Sequence, residues 1–181
     1  AGRHTLPRIP DRCADPADAR QIVPHPRRLP TPADAVQHQQ GRGGALHRFR
    51  LIEGVSFHDG EPFTAESVRY SVERYLDPKT GFPARGFLDS IDRVEVRTEH
   101  ELDIVTKYPD GLLLNRLAGF VLIVPARRLA AAGPEAFARH PIGTGAFRFA
   151  GWEAGKAVRL DANRSYFVAG QPRMDALVFR F

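Results

Sequence analysis

Cysteine is nearly missing: Cys13 stands alone among 181 residues. A single thiol excludes an internal disulfide and any cysteine-based metal cluster. Methionine and tryptophan also occur once each, as Met174 and Trp152. Lysine occurs three times, at Lys79, Lys107 and Lys156, against 23 arginines, a bias that points to a GC-rich genome more than to function. No apolar run approaches the roughly 20 residues that cross a bilayer, which argues against an integral membrane protein. These residues show neither an initiator Met nor a charged-then-apolar leader, so no signal peptide is expected within them.

Residues 1–48 lack Phe, Tyr, Trp, Lys and Glu altogether, and they hold seven of the fifteen prolines. No apolar period lasts two helical turns there. Such composition buries too little surface to offset chain entropy. The segment up to residue 45 is therefore expected to be irregular, with the folded part over 46–181. Two explanations stay open for it: aberrant or frame-shifted sequence, and a genuine Pro/Arg-rich linker. Translating the other reading frames of the encoding DNA separates them.

The chain carries a net charge of +5. That invites a nucleic-acid reading. The distribution weakens it. Residues 1–48 hold eight Arg and four Asp, a net of +4, and the remaining 133 hold 18 basic and 17 acidic residues, a net of +1. A groove-binding domain concentrates its cations on a structured face instead.

The remainder has enough apolar residues for a core, at 43% of the whole chain. Residues 46–52 alternate as a strand. His58, Asp59 and Gly60 make a turn, since Gly takes positive φ and Asp bonds the backbone ahead of it. Thr64 is a good N-cap, and Glu66 suits the positive end of the helix dipole. Ala65, Val68, Val72, Tyr75 and Leu76 form one apolar stripe, and Asp77-Pro78 stops the helix. Ser67 stands at N3, where an acid would complete a capping box, and its presence predicts a loss of up to about 1 kcal/mol.

Residues 78–90 read as a Pro/Gly loop. Residues 91–98 and 101–108 read as a β-hairpin around Glu99-His100. Residues 111–118 suggest a helical turn or two, 119–124 a buried strand, and 126–138 helix split at Gly133-Pro134. A second hairpin turns at Ala154-Gly155 and pairs Phe147 and Phe149 with Val158 and Leu160.

Four motifs in this order resemble a known family. Gly54, Val55, Phe57, Asp59, Gly60, Pro62, Phe63, Ala65, Val68 and Ser71 fit its strand–turn–helix signature. Leu117, Ala118, Ile123, Val124 and Pro125 fit a second motif. Pro141 to Gly145, with Trp152 and Gly155, fit a third, and Gly170 to Arg180 the last. The chain is identified as resembling the extracellular solute-binding proteins of family 5, the peptide- and nickel-binding subunits of ABC importers, over about residues 46–181.

The resemblance implies an α/β fold of the periplasmic-binding-protein type II. The stretch corresponds to part of the first of two lobes, with mixed or antiparallel strands, two hairpins and flanking helices. Family members run to roughly three times this length, so the chain is expected to be partial. The implied function is capture of a peptide or related small solute, such as a nickel chelate, for import through a membrane permease. It implies a periplasmic, monomeric protein with no cofactor and no covalent chemistry. The segment after Leu117 lines the ligand cleft in such proteins, which puts Ala118, Gly119 and Phe120 near solute; plain core packing is the competing reading.

Other constellations weigh against chemistry. Gly143-Thr144-Gly145 lacks the following helix that a phosphate cradle needs, and it reads as a turn before a strand. His58-Asp59 has no partner at ligand spacing and no nucleophile, so it reads as turn architecture. Asp89, Asp92, Glu99, Glu101 and Asp103 read as the wet face of a hairpin. Trp152 and Tyr166 read as core or sheet-face aromatics. A hydrolase and a nucleic-acid binder remain as alternatives, the second resting on the amino-terminal segment alone.

Overall fold

The computed structural model describes residues 36–181 apart from Arg42 and Gly44. The Pro/Arg-rich stretch up to residue 35 lies outside the described residues, as does the question of its origin. Strand β1 (Val36–Gln40) departs from the expectation of an irregular segment through residue 45. It has no apolar alternation of its own and gains its ladder from β2 (Leu46–Leu51), which it pairs antiparallel. Tertiary pairing here overrides weak local propensity.

The first sheet has the order β1–β2–β4–β3, with β3 spanning Ile91–Thr98 and β4 spanning Glu101–Thr106. Both expected strands of this hairpin form, the second two residues shorter than the alternation suggested. Helix α1 (Ala65–Leu76) lies against the sheet and buries Ala65, Val68 and Val72. Tyr75 and Leu76 pack against the same core, which also takes Phe49, Leu51, Leu88, Ile91, Leu102, Ile104 and Leu113. Gly60 has φ +90°, as its turn requires. Ser67 does not incur the expected capping loss: its Oγ accepts from Thr64 N–H at 2.9 Å, closing the box with a hydroxyl.

The loop after α1 contains two short 3-10 turns, Pro78–Thr80 and Arg85–Leu88. Helix α2 runs Leu113–Phe120, so Gly119 and Phe120 finish a helix and do not begin a strand. The stretch 121–125 that follows has no ladder partner. Side chains of α1 take two of its amides: Leu122 N–H donates to Tyr75 Oη at 3.3 Å, and Val124 N–H to Ser71 Oγ at 3.0 Å. Leu122 is 74% exposed. The apolar run is thus an extended strap across α1, and the expected buried strand is not formed. Helices α3 (Ala126–Ala132) and α4 (Pro134–Arg139) meet at Gly133, as the Gly-Pro break predicts.

A loop over 140–146 leads to a second sheet, β5 (Phe147–Glu153), β6 (Ala157–Ala162) and β7 (Ala176–Arg180), all antiparallel. Phe149 faces Leu160 as expected, but an irregularity between Phe149 and Gly151 shifts the register, and Val158 faces Trp152. Every strand pairing among the described residues is antiparallel. The ladder places Phe147, Phe149, Trp152, Val158, Leu160 and Phe179 on one face, and Arg148, Arg159, Asp161 and Arg180 on the other. Trp152 and Phe179 remain more than half exposed on that apolar face.

Candidate functional site

Helix α2 carries the three residues expected near solute. Ala118 and Gly119 are exposed and Phe120 is half-buried. The Phe120 ring stacks on Phe87 with centroids 4.8 Å apart and planes 11° from parallel. Phe87, from the second 3-10 turn, is 53% exposed. Together they make a flat apolar shelf at the carboxyl end of α2. Sequence reasoning missed Phe87, because an isolated aromatic in a Pro/Gly loop has no periodicity to mark it. A side chain on Gly119 would meet nothing within 4 Å, so packing does not demand glycine there.

The strap continuing from Phe120 walls a cavity of about 540 Å³ between the first unit and the second sheet. His58, Phe63, Ile123, Phe137, Ile142 and Phe149 contribute to its lining, whereas Ala118, Gly119 and Phe120 do not. His58 bonds the loop across from it. Its N–H donates to Gly143 O at 2.9 Å, and its ring lies 2.9 Å from Gly145 O through Nε2 and 3.4 Å from Gly143 N through Nδ1. The expectation that this turn is architecture agrees with those contacts, and Gly143-Thr144-Gly145 leads into β5 rather than a helix.

The carboxylates of the first hairpin do not form a uniformly wet face. Asp103 is fully buried. Arg48 donates to both of its oxygens at 2.8 and 2.9 Å, and Arg97 Nε donates at 2.8 Å. Hydrogen bonding from Arg48 holds the Asp103 carboxyl below its ordinary range against the opposing effect of burial, with Arg97 adding to it. The register sets Arg48 directly opposite Asp103, and Arg97 reaches the same carboxylate from β3; the two guanidiniums are why a buried acid is tolerated there.

Asp110 is the second buried acid. Burial pushes its carboxyl upward, yet Ser90 Oγ–H, Leu112 N–H and Arg116 outweigh that and leave it lowered. Ser90, Asp110 and nearby His47 are the residue types of a hydrolytic triad. The order of bonds is wrong for one: Ser90 donates to the carboxylate itself at 2.6 Å, and both Ser90 and His47 are buried. A nucleophile needs its base as hydrogen-bond partner. Among the described residues no group of three or more His, Cys, Asp or Glu is placed to hold a metal ion, and no helix is long and apolar enough to cross a membrane.

Residues 31–181 match the family model described as bacterial extracellular solute-binding proteins, family 5 Middle. The glutathione-binding protein GsiB of Pectobacterium atrosepticum is 32% identical over 139 residues, covering 76% of this chain and 27% of that protein. Di/tripeptide-binding protein 2 of Pseudomonas aeruginosa is 34% identical over 169 residues, covering 81% and 32%. Among solved structures, AgaA of A. tumefaciens R10 with agropinic acid superposes with a TM-score of 0.74 at 31% identity, over 80% of this chain and 29% of that one. The oligopeptide-binding protein AppA of Bacillus subtilis with a nonapeptide gives 0.73 at 27% identity, over 81% and 30%. The chain thus spans about three-tenths of the length of the relatives it matches. The match begins at residue 31, ahead of the boundary at 46 that the motifs suggested. With the antiparallel sheets, the capped α1 and the ordered motifs all agreeing, the chain belongs to family 5 of the bacterial extracellular solute-binding proteins.

Proposed function

We propose that this chain supplies part of one lobe of a solute-capturing subunit of an ABC importer, and that its solute is a peptide or a related small molecule. The observation that carries the reading is the half-exposed Phe87–Phe120 shelf in a chain whose residues 31–181 match the family. Flat aromatic surface left in water beside an open glycine suits contact with a solute better than it suits a core. Ala118, Gly119 and Phe120 form this wall, with Phe87 as a fourth member. The proteins named above as glutathione-, dipeptide- and oligopeptide-binding support the solute class.

The protein works outside the cytoplasm as a monomer and hands its solute to a membrane permease after closing over it. On this reading it carries out no covalent chemistry. The nucleic-acid reading has only the basic excess of residues 1–48 to support it.

The test is a chimaera in which residues 31–181 replace the corresponding segment of the Bacillus subtilis oligopeptide-binding protein. Calorimetric titration of the folded chimaera with peptide is expected to give heat. Phe120→Ala and Gly119→Trp are each expected to weaken binding roughly tenfold, equivalent to about 1.4 kcal/mol of lost contact. Unchanged affinity in both variants removes the shelf from the site. A folded chimaera that gives no heat argues against the function.

A further inference from the structure

We propose that His58 is a proton-operated latch between the two units of the chain, the first built on β1–β4 and α1–α4 and the second on β5–β7. None of the substantial packing contacts between elements joins a strand of the second sheet to the first unit. The units meet across the cavity and through the loop 140–146. His58 is the side chain that ties that loop to the first unit, reaching both Gly143 and Gly145.

The geometry fixes what each ring nitrogen does. Gly143 N–H points at Nδ1, which must then be the bare acceptor nitrogen. Nε2 carries the ring proton and donates it to Gly145 O. The neutral ring is therefore satisfied at both nitrogens. A second proton leaves the bond to Gly145 intact and turns an N–H on Nδ1 toward Gly143 N–H. Donor then faces donor, and the latch loses one of its two side-chain bonds. Histidine is the side chain suited to this change between pH 5 and 8.

The ring borders a cavity whose lining is otherwise uncharged. Of the residues lining the cavity His58 alone ionises; Phe63, Ile142, Phe147 and Phe149 are among those facing it. In its own turn, Asp59 accepts Glu61 N–H at 3.1 Å, and the Glu61 carboxylate takes the amides of Arg127 and Arg128 at 3.3 and 3.4 Å. Both carboxylates are thus directed at backbone amides. Charged or titratable residues on the neighbouring helices include Arg127 and Arg128 on α3, and Arg139 and His140 at the end of α4, whose imidazole packs on Phe149. Arg148 and Asp161 lie on the far face of the second sheet. Protonation of His58 removes one of three bonds to the loop, leaving the ring on Gly145 O and the backbone N–H of His58 on Gly143 O, and so loosens Pro141–Gly145 and weakens the tie between the second sheet and the first unit.

The full 181-residue chain is digested with thermolysin at pH 8 and pH 5.5, and cleavage at the bond preceding Ile142 is followed. Each rate is divided by that of an unfolded peptide of the same local sequence. The ratio is expected to rise roughly threefold to tenfold on acidification, the effect of one hydrogen bond. In His58→Gln, which donates to Gly145 O and does not titrate, the ratio is expected to stay flat. A flat wild-type ratio, or an equal rise in His58→Gln, overturns the proposal. Nuclear magnetic resonance of the wild type gives an independent reading: the Gly143 amide is expected to titrate with the His58 ring. An amide that stays still as the ring protonates overturns the latch as well.

Discussion

Asp103 shows what a single residue does to the first sheet. It sits buried in mid-strand with Arg48 and Arg97 supplying three charge-assisted bonds. Its carboxyl is held below the ordinary range, so the native state favours the ionised form. The sign follows from linkage: stability from this group is present above the unfolded carboxylate pKa, about 3.9, and is lost as pH falls through the lower native value. Asp103→Asn is expected to lower stability at pH 7 by roughly 1–3 kcal/mol, with the two guanidiniums still partly solvated. Urea melts at pH 7 and below pH 4 check it: the gap between wild type and variant closes in acid. A gap that persists unchanged at low pH contradicts the assignment. None of this was legible in the sequence. Alternation marked Asp103 as a wet-face residue, and only the cross-strand register brings Arg48, 55 positions away, onto it.

At the scale of elements, those with local signals were readable and those defined by a distant partner were not. Helix α1 announced itself through Thr64, Glu66, its apolar stripe and Asp77-Pro78. Both hairpins followed from alternation and turn residues. The strap 121–125 carries as apolar a run as a strand, but the amides of Leu122 and Val124 go to Tyr75 and Ser71 on α1, and no sequence pattern states that. Likewise β1 exists through pairing with β2 rather than through its own composition. Ser71 links two of these elements: its Oγ donates to Ser67 O at 2.7 Å and accepts Val124 N–H. Ser71→Ala leaves that amide without its acceptor and is expected to cost about 1–2 kcal/mol. Hydrogen exchange at Val124 is expected to quicken more than exchange in β4. Protection at Val124 equal to wild type contradicts the strap's anchoring.

At the scale of the whole molecule, the second sheet is one-sided, with Trp152 and Phe179 exposed on its apolar face. Contiguous exposed apolar surface favours association. Trp152→Lys is accordingly expected to raise solubility while leaving the melting temperature within about 2 °C, because an exposed substitution changes little of the core. A large fall in melting temperature contradicts the face's lack of cover. Of the candidate site, the family motifs made Ala118, Gly119 and Phe120 nameable, but Phe87 became visible only when the chain folded back on α2. On the proposed reading the shelf is a single wall of the solute site. Closure around a solute buries most of its surface, and one wall supplies only part of that contact. We propose that this chain holds a portion of a solute site and not the whole of one. Calorimetric titration of the 181-residue chain with dipeptides, tripeptides and a nonapeptide is expected to show no binding at micromolar affinity, and a micromolar or tighter dissociation constant overturns the proposal.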